Sequence, residues 1–294
     1  MKLTPALATL ACAASLSANA GVGVDLDAFS AYAWRNAVQN DEMVLQPCAW
    51  IEIDRFEPLA LGLSVWQNYD LTANRRRGGL RHALTETDCN VHAGCRLWAA
   101  ENEAVSLTAE LGHDWFVNQG VRRADKSATP DTRELYARLT FSNPLADVYG
   151  QASWMYDDFG DYRKGVHLEL GFTREQELTD VLSVGADWNV NFGDGRYLYY
   201  LYGGSSSGRY VDDEGDVADD YDTKETGFGG TTFKVFSTWR ITDWLSARAT
   251  LAYTGLLNGR LRDATKEQGA AYDLNGEKYP RDLLWGGLSV SVEF

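Results

Sequence analysis

The final stretch of the chain, Leu283 to Phe294, alternates apolar and polar positions. Leu284, Leu288, Val290, Val292 and Phe294 share one face, and Trp285, Gly287, Ser289, Ser291 and Glu293 share the other. Period-two alternation predicts a β-strand with one apolar face. In water, such a strand left unpaired at a chain end invites aggregation. In a closed barrel in lipid it pairs with the first strand and turns its apolar face to the acyl chains. The same pattern recurs upstream. Val22, Val24, Leu26 and Ala28 oppose Asp25 and Asp27, and Leu59, Leu61, Leu63 and Val65 alternate with Gly62, Ser64 and Trp66.

Extended along the chain, the pattern predicts strands over Gly21–Ala37 and Met43–Ile53 and a third from Leu59. Further strands are predicted over 90–99, 104–116, 133–141, 147–156, 165–174, 181–200, 228–241, 244–257 and 283–294, twelve in all. Short reversals at 54–58, 100–103, 142–146, 175–180 and 242–243 alternate with mostly longer ones at 36–42, 70–89, 117–132, 157–164, 201–227 and 258–282. This rhythm predicts an all-β fold, a transmembrane up-and-down antiparallel β-barrel of about twelve strands with both termini on the periplasmic side. Trp66, Tyr69, Trp115, Phe116, Trp154, Tyr156, Trp239 and Trp244 fall near strand ends, where interfacial girdles form. A soluble β-sandwich would alternate too, but usually with shorter strands and without one-sided loop lengths.

Composition fixes the expected compartment. Met1-Lys2, the apolar Ala6 to Ser17 and the Ala18-Asn19-Ala20 pattern read as a cleaved signal peptide over residues 1–20, leaving one barrel domain over 21–294. Thr9-Leu10-Ala11 before Cys12 makes a poor lipidation signal. No later apolar run reaches the length of a membrane helix, and mean hydropathy is −0.34. Export without a spanning helix, with 12% aromatic residues, fits either a periplasmic soluble protein or a barrel in the outer membrane of a Gram-negative-type bacterium, and the strand pattern favours the barrel. The net charge of −15 argues against nucleic acid as a partner. The expected partners are outer-membrane lipid and lipopolysaccharide, small polar solutes, and a barrel-insertion machinery reading Phe294 as its assembly signal.

With the apolar face toward lipid, parity puts Asp25, Asp27, Glu52, Glu110, Glu169, Asp187 and Glu293 in the lumen with Arg35, Arg96, Arg138, Lys234, Arg240 and Arg248. The signs in this set are nearly balanced. These residues are the candidates for solute selection through a transverse field in a narrow pore. They could equally pair and fill the lumen, as small barrels fill theirs.

Other chemistry is thin. Asp212, Asp213, Glu214 and Asp216 offer oxygen ligands of the type Ca²⁺ takes, but the spacing does not match an EF-hand, and a solvated loop is the simpler account. Arg75-Arg76-Arg77 could meet headgroup phosphates and reads as readily as a solvated loop. His113-Asp114 is a possible water-activating pair, but no serine sits in a nucleophile setting beside any histidine. No catalytic residue, cofactor or firm metal site is therefore predicted. Cys89 and Cys95, six apart, would lie roughly 20 Å apart in one strand, too far to bond; a strand starting after Cys95 would let them close a small loop. Cys48 falls on the lumen face of the second strand.

Ser30-Ala31-Tyr32-Ala33-Trp34-Arg35-Asn36, followed by Val44-Leu45-Gln46-Pro47, resembles the S-x-Y-x-[FW]-R-G … Q-P opening of TorF-type porins and related outer-membrane barrels. Leu63 to Asp70 and the terminal Phe294 extend the likeness; between them it is one of rhythm. Asn36 stands where Gly is usual, which puts the turn after Arg35 in question. The resemblance implies an outer-membrane porin and supplies no substrate or catalytic residue. Parity places Arg35 at the end of the first strand, facing the lumen with Glu52 as an acidic partner. The leading expectation is a channel for passive diffusion of small polar solutes. The alternative is a closed structural or surface-recognition barrel with acidic loops, and a third is an outer-membrane hydrolase.

Overall fold

Along the wall strands, exposed apolar residues alternate with residues whose side chains face the barrel interior. The computed structural model describes residues 20–56, 58–71, 84–101, 103–118, 131–156, 165–198, 210–211, 217–218, 226–259 and 282–294. The barrel strands are β1 (Ala20–Phe29), β4 (Val44–Phe56), β5 (Leu59–Asp70), β6 (Leu84–Ala99), β7 (Ser106–Asn118), β8 (Thr132–Ser142), β9 (Asp147–Met155), β10 (Val166–Thr179), β11 (Leu182–Gly193), β14 (Gly227–Arg240), β15 (Leu245–Leu256) and β16 (Asp282–Glu293). Two small hairpins, β2 (Tyr32–Trp34) with β3 (Ala37–Asn40) and β12 (Tyr210–Val211) with β13 (Val217–Ala218), are not part of the wall, and Gly195–Leu198 forms one helical turn, α1.

The twelve wall strands run antiparallel, each beside its sequence neighbour, and β1 closes on β16 from Gly23↔Glu293 to Phe29↔Gly287. Closure removes the unpaired edge that makes a long apolar strand hazardous. Leu61, Leu63 and Val65 on β5, Leu168 and Leu170 on β10, Val235 on β14 and Leu288 and Val290 on β16 are all exposed on the outer face. A contiguous apolar band of this extent is unfavourable in water and suited to a hydrocarbon surround. Among the described residues no helix is long and apolar enough to cross a membrane.

Several inner-face aromatics lie over a glycine directly opposite on the next strand: Trp50 over Gly23, Tyr136 over Gly112, Tyr149 over Gly171 and Phe236 over Gly185. A Cβ at any of these glycines would land on the ring. The missing side chain lets each ring lie along the wall instead of projecting into the lumen.

Some predicted boundaries move. The first strand ends at Phe29, not Ala37, because residues 32–40 fold back as the β2–β3 hairpin. The strand predicted to Tyr200 ends at Gly193 and turns into α1. β6 begins at Leu84, inside what reads as a long polar loop, and β10 runs on to Thr179. β6 therefore carries both Cys89 and Cys95 in one strand, and these thiols and that of Cys48 are free. The proposed leader except Ala20, the Arg75–Arg77 run and the acidic loop candidates Asp212, Asp213, Glu214 and Asp216 lie outside the described residues.

Candidate functional site

The β2–β3 hairpin connects β1 to β4 at the long-loop end, yet its tip meets the opposite wall. Trp34 pairs with Ala37 across a turn whose two central residues, Arg35 and Asn36, have φ of 48° and 64°. Two successive positive φ angles are the signature of the tight type I′ turn. Asn tolerates this conformation, so Asn36 in place of Gly keeps the turn possible; Arg35 adopts it at some energetic cost.

That cost is offset by what Arg35 reaches. Its guanidinium grips Glu134 of β8 with both terminal nitrogens, one bond being 2.7 Å from Nη1 to Oε2. It also donates to the Tyr197 hydroxyl on α1 and lies 4.5 Å over the Trp34 ring. The backbone carbonyl of Arg35 accepts from Asn191 Nδ2 of β11 at 2.6 Å, and Asn36 Nδ2 donates to the Gly230 carbonyl of β14 at 3.0 Å. On the near legs, Tyr32 donates to Glu86 of β6 at 3.1 Å and Trp34 packs edge-on against Phe116 of β7 at 5.1 Å. Since β8 lies five strands from β1 one way and seven the other, the hairpin spans the lumen.

Around this crossing side chains fill the lumen. Glu134, His167, Asn191, Thr132 and Ser153 are buried, and Ala37 packs with Met155, Tyr197, Leu198 and Leu256. On the β15–β16 side, Ala31 packs with Ala252 and Trp285. His167 lies 4.8 Å from the Tyr197 ring.

Below the crossing the inner wall is charged and more exposed. Tyr136 donates to Glu110 and Tyr149 to Glu169, each at 2.7 Å, and the Arg138 guanidinium sits 3.9 Å over Tyr149. Trp50 Nε1 donates to Asp25 at 3.1 Å. Lower still, Lys234 and Asp187 are 3.4 Å apart, Arg248 reaches Glu175 at 3.2 Å and Arg240 reaches Glu177 at 3.6 Å. The Arg248 and Arg240 pairs bridge strands that are not neighbours, so they sit inside the barrel. At the short-turn mouth, a vestibule of about 410 Å³ is lined by Glu175, Glu177, Arg240, Trp244 and Glu293.

The sequence-predicted residues are thus spread by height. Arg35 joins the crossing; Asp25, Glu52, Glu110, Arg138 and Glu169 line the middle; Asp187, Lys234, Arg240, Arg248 and Glu293 lie toward the short-turn end. Asp27 shares a cross-strand row with Ser289 and Arg248 but not a direct pair, and Arg96 bonds the turn residue Glu103 at 3.7 Å. The placement of Arg35 differs from expectation: it sits on an inserted turn, not a wall strand. Its acidic partner is Glu134, while Glu52 bonds His92 at 3.1 Å. The near balance of signs is also corrected. Glu86, Asp88, Asp114, Glu134, Glu175 and Glu177 share the inner face by register, and they make the lining acid-rich. Glu86 and Asp88 were hidden in an apparent loop and Glu175 and Glu177 in an apparent turn, whereas parity alone could have found Asp114 and Glu134. His113 and Asp114 point to opposite faces: His113 meets the Tyr156 hydroxyl at 2.7 Å on the outer side, and Asp114 accepts from Asn90 inside. They do not form a water-activating pair.

No family model and no curated protein matches the chain. Solved structures do. The COG4313 outer membrane channel from Pseudomonas putida F1 superposes with a TM-score of 0.52 at 14% identity, covering 95% of this chain and 97% of that one. The NanC porin superposes at 0.50 with 6% identity, covering 92% and 98%. A looser likeness to outer membrane phospholipase A from Escherichia coli, at 0.43 and 10% identity over 93% and 92%, carries no weight beside these. At such identities the likeness speaks for architecture, and the chain has the fold of an outer-membrane β-barrel.

Proposed function

We propose that the chain is an outer-membrane channel that passes small polar solutes by diffusion, cations ahead of anions, with the β2–β3 hairpin as its constriction. The observation that carries this reading is the lumen, lined with charge from the middle to the short-turn mouth and narrowed at one level by an inserted turn. A barrel meant only as an anchor has no need of an acid-rich, hydrated bore, since burying charges without transport is costly. Acidic groups lining a narrow pore concentrate cations and exclude anions. The exposed apolar band supports residence in a membrane, and the expected leader supports export to the outer one. The porin-like opening around Ser30 to Asn36 agrees with this reading, as does the likeness to a channel and a porin in fold. Trp115, Trp154 and Tyr156 at the long-loop end suit contact with lipid and lipopolysaccharide.

The filled crossing at Arg35 and Glu134 favours a second reading, a closed barrel with a structural or surface-recognition role. Planar-bilayer recording of the purified mature protein separates them. Discrete steps with a reversal potential on the cation side in a KCl gradient are expected. A protein that inserts but stays silent, even with residues 31–40 replaced by a short Gly-Ser linker, would sink the channel reading and leave the closed barrel.

A further inference from the structure

We infer that the β2–β3 hairpin is a latched gate, closed by the Arg35–Glu134 grip and opened when the tip leaves the β8 wall toward the long-loop rim. This rests on the channel reading and adds a moving part to it.

The ends of the moving segment are fixed. Ser30 N donates to the Gly286 carbonyl at 2.9 Å and Gly286 N to Ser30 Oγ at 3.1 Å; beyond the hairpin, Leu71 N donates to the Met43 carbonyl at 3.0 Å. Between these anchors, residues 31–42 form a lever whose tip bonds to β8, β11, β14 and α1. Those bonds are polar: the Glu134 carboxylate, the Tyr197 hydroxyl, the Asn191 amide and the Gly230 carbonyl. Such a hold is strong while dry and close to neutral against hydration once both partners reach water, because the charges regain the solvation that burial removed. Alanines at 31, 33 and 37 give the legs little apolar area to lose. The aromatic contacts of Tyr32 and Trp34 are with Trp66 of β5 and Phe116 of β7, and Trp34 also packs against the cluster of Ala37, Met155, Tyr197, Leu198 and Leu256, which the tip leaves when it moves. Arg35 also carries a partner with it, since its guanidinium stacks on Trp34 of the same hairpin. The positive φ at Arg35 adds a backbone cost that the grip holds in place. Tyr197 ties the latch to α1, the helical turn that follows β11.

The geometry offers a lock. A Cβ built on Gly230 falls 2.8 Å from the Asn36 Cβ, 2.9 Å from the Asn36 carbonyl oxygen and 3.0 Å from that of Gly255, so a cysteine pair closes here once the tip backs off by about 1 Å to the roughly 3.5–4.5 Å that a disulfide spans. The test is single-channel recording of mature protein with Cys48, Cys89 and Cys95 changed to Ala, carrying Asn36→Cys and Gly230→Cys, under oxidation and then with dithiothreitol. Glu134→Gln and Arg35→Ala are recorded beside it, and heat-modifiability on gels reports that each is folded. The expected result is a high-conductance level that vanishes on oxidation and returns on reduction. Glu134→Gln and Arg35→Ala should occupy that level several-fold more of the time than the parent. Identical open fractions in oxidised and reduced lock protein, with Glu134→Gln matching the parent, would overturn the gate while leaving a channel. Silence in every variant, the hairpin-replaced barrel included, would remove the channel and the gate together.

Discussion

At the long-loop end, Arg35 and Glu134 meet with side-chain exposures of 8% and 0%; at the short-turn end, Arg240 and Glu177 meet at 59% and 76%. The pairs are chemically alike and sit in one lumen, but their surroundings give them different work. The upper pair has lost its water, so its two members hold each other and the hairpin in one register. The lower pair stays open to solvent, so it contributes little to rigidity. On the channel reading we propose, the upper lumen decides whether the bore is open, and the lower lumen decides which sign of ion prefers it. Substitutions that act on one level and leave the other alone are the way to test this division.

The largest effect is expected from Glu134→Gln. Removing one member of a buried pair strands the other, typically at about 3–5 kcal/mol. Here the loss should fall on the hairpin and spare the wall, because the β7–β8 and β8–β9 ladders do not depend on that carboxylate. Hydrogen exchange read by mass spectrometry should show faster exchange for amides of residues 31–40 and unchanged exchange for β8. Equal acceleration of both would mean that the pair supports the barrel and not a separate upper element.

Between the two levels, the glycine–aromatic joints keep the rings against the wall. Gly112→Val would force the Tyr136 ring off its seat, and with it the bond to Glu110. Overpacking of this kind costs about 1–3 kcal/mol. The temperature at which the barrel loses its heat-modifiable band should fall, and conductance should drop as the ring moves inward. A normal melting temperature with normal conductance would show that the joint is incidental.

Most of the wall was legible from alternation alone, because period two reports directly on a strand with lipid on one face and water on the other. Where alternation failed, the cause is physical. Residues 30 to 37 also read as a strand continuing from β1, since Tyr32 and Trp34 keep the even spacing of large side chains, and a hairpin folded into a lumen needs the same half-buried pattern as a wall. Only Arg35-Asn36 hints at the turn, and a type I′ turn is normally announced by Gly. Glu134 was on a predicted strand and on the inner face, but nothing local marks it as the partner of a residue 99 positions earlier. Such pairings depend on where the closed barrel brings β8. Glu175 and Glu177 were missed because a polar strand end with no apolar partner reads as a turn.

Closure itself gives a smaller effect. Phe294 N donates to the Val22 carbonyl at 2.9 Å and Val22 N to the Phe294 carbonyl at 3.3 Å, the last bonds of the β1–β16 seam. Deleting Phe294 removes both, at about 1 kcal/mol each, from the base of the lower lumen. The amount of assembled, heat-modifiable barrel should fall, with surviving molecules keeping their upper crossing and unit conductance. Unchanged assembly would show that closure is complete without this pair.

The smallest effect on stability, and the sharpest on selectivity, is expected from Glu177→Gln. Its pair with Arg240 spans 3.6 Å between two well-exposed side chains, and pairs of that kind contribute between nothing and about 1 kcal/mol. Melting should therefore stay where it is. The vestibule, however, loses one negative charge from a lining it shares with Glu175, Asp180, Asp243 and Glu293, while Arg240 keeps its own. The local potential becomes less negative, cations are concentrated less, and the reversal potential in a KCl gradient should move toward the anion side. The shift should grow at low salt, because a 0.01 M solution screens over about 30 Å and a 1 M solution over about 3 Å. Glu134→Gln, one level up and out of water, should change open probability while leaving the reversal potential of the open state near that of the parent. If the two substitutions exchange these signatures, the division between an upper level that opens and a lower level that selects does not hold.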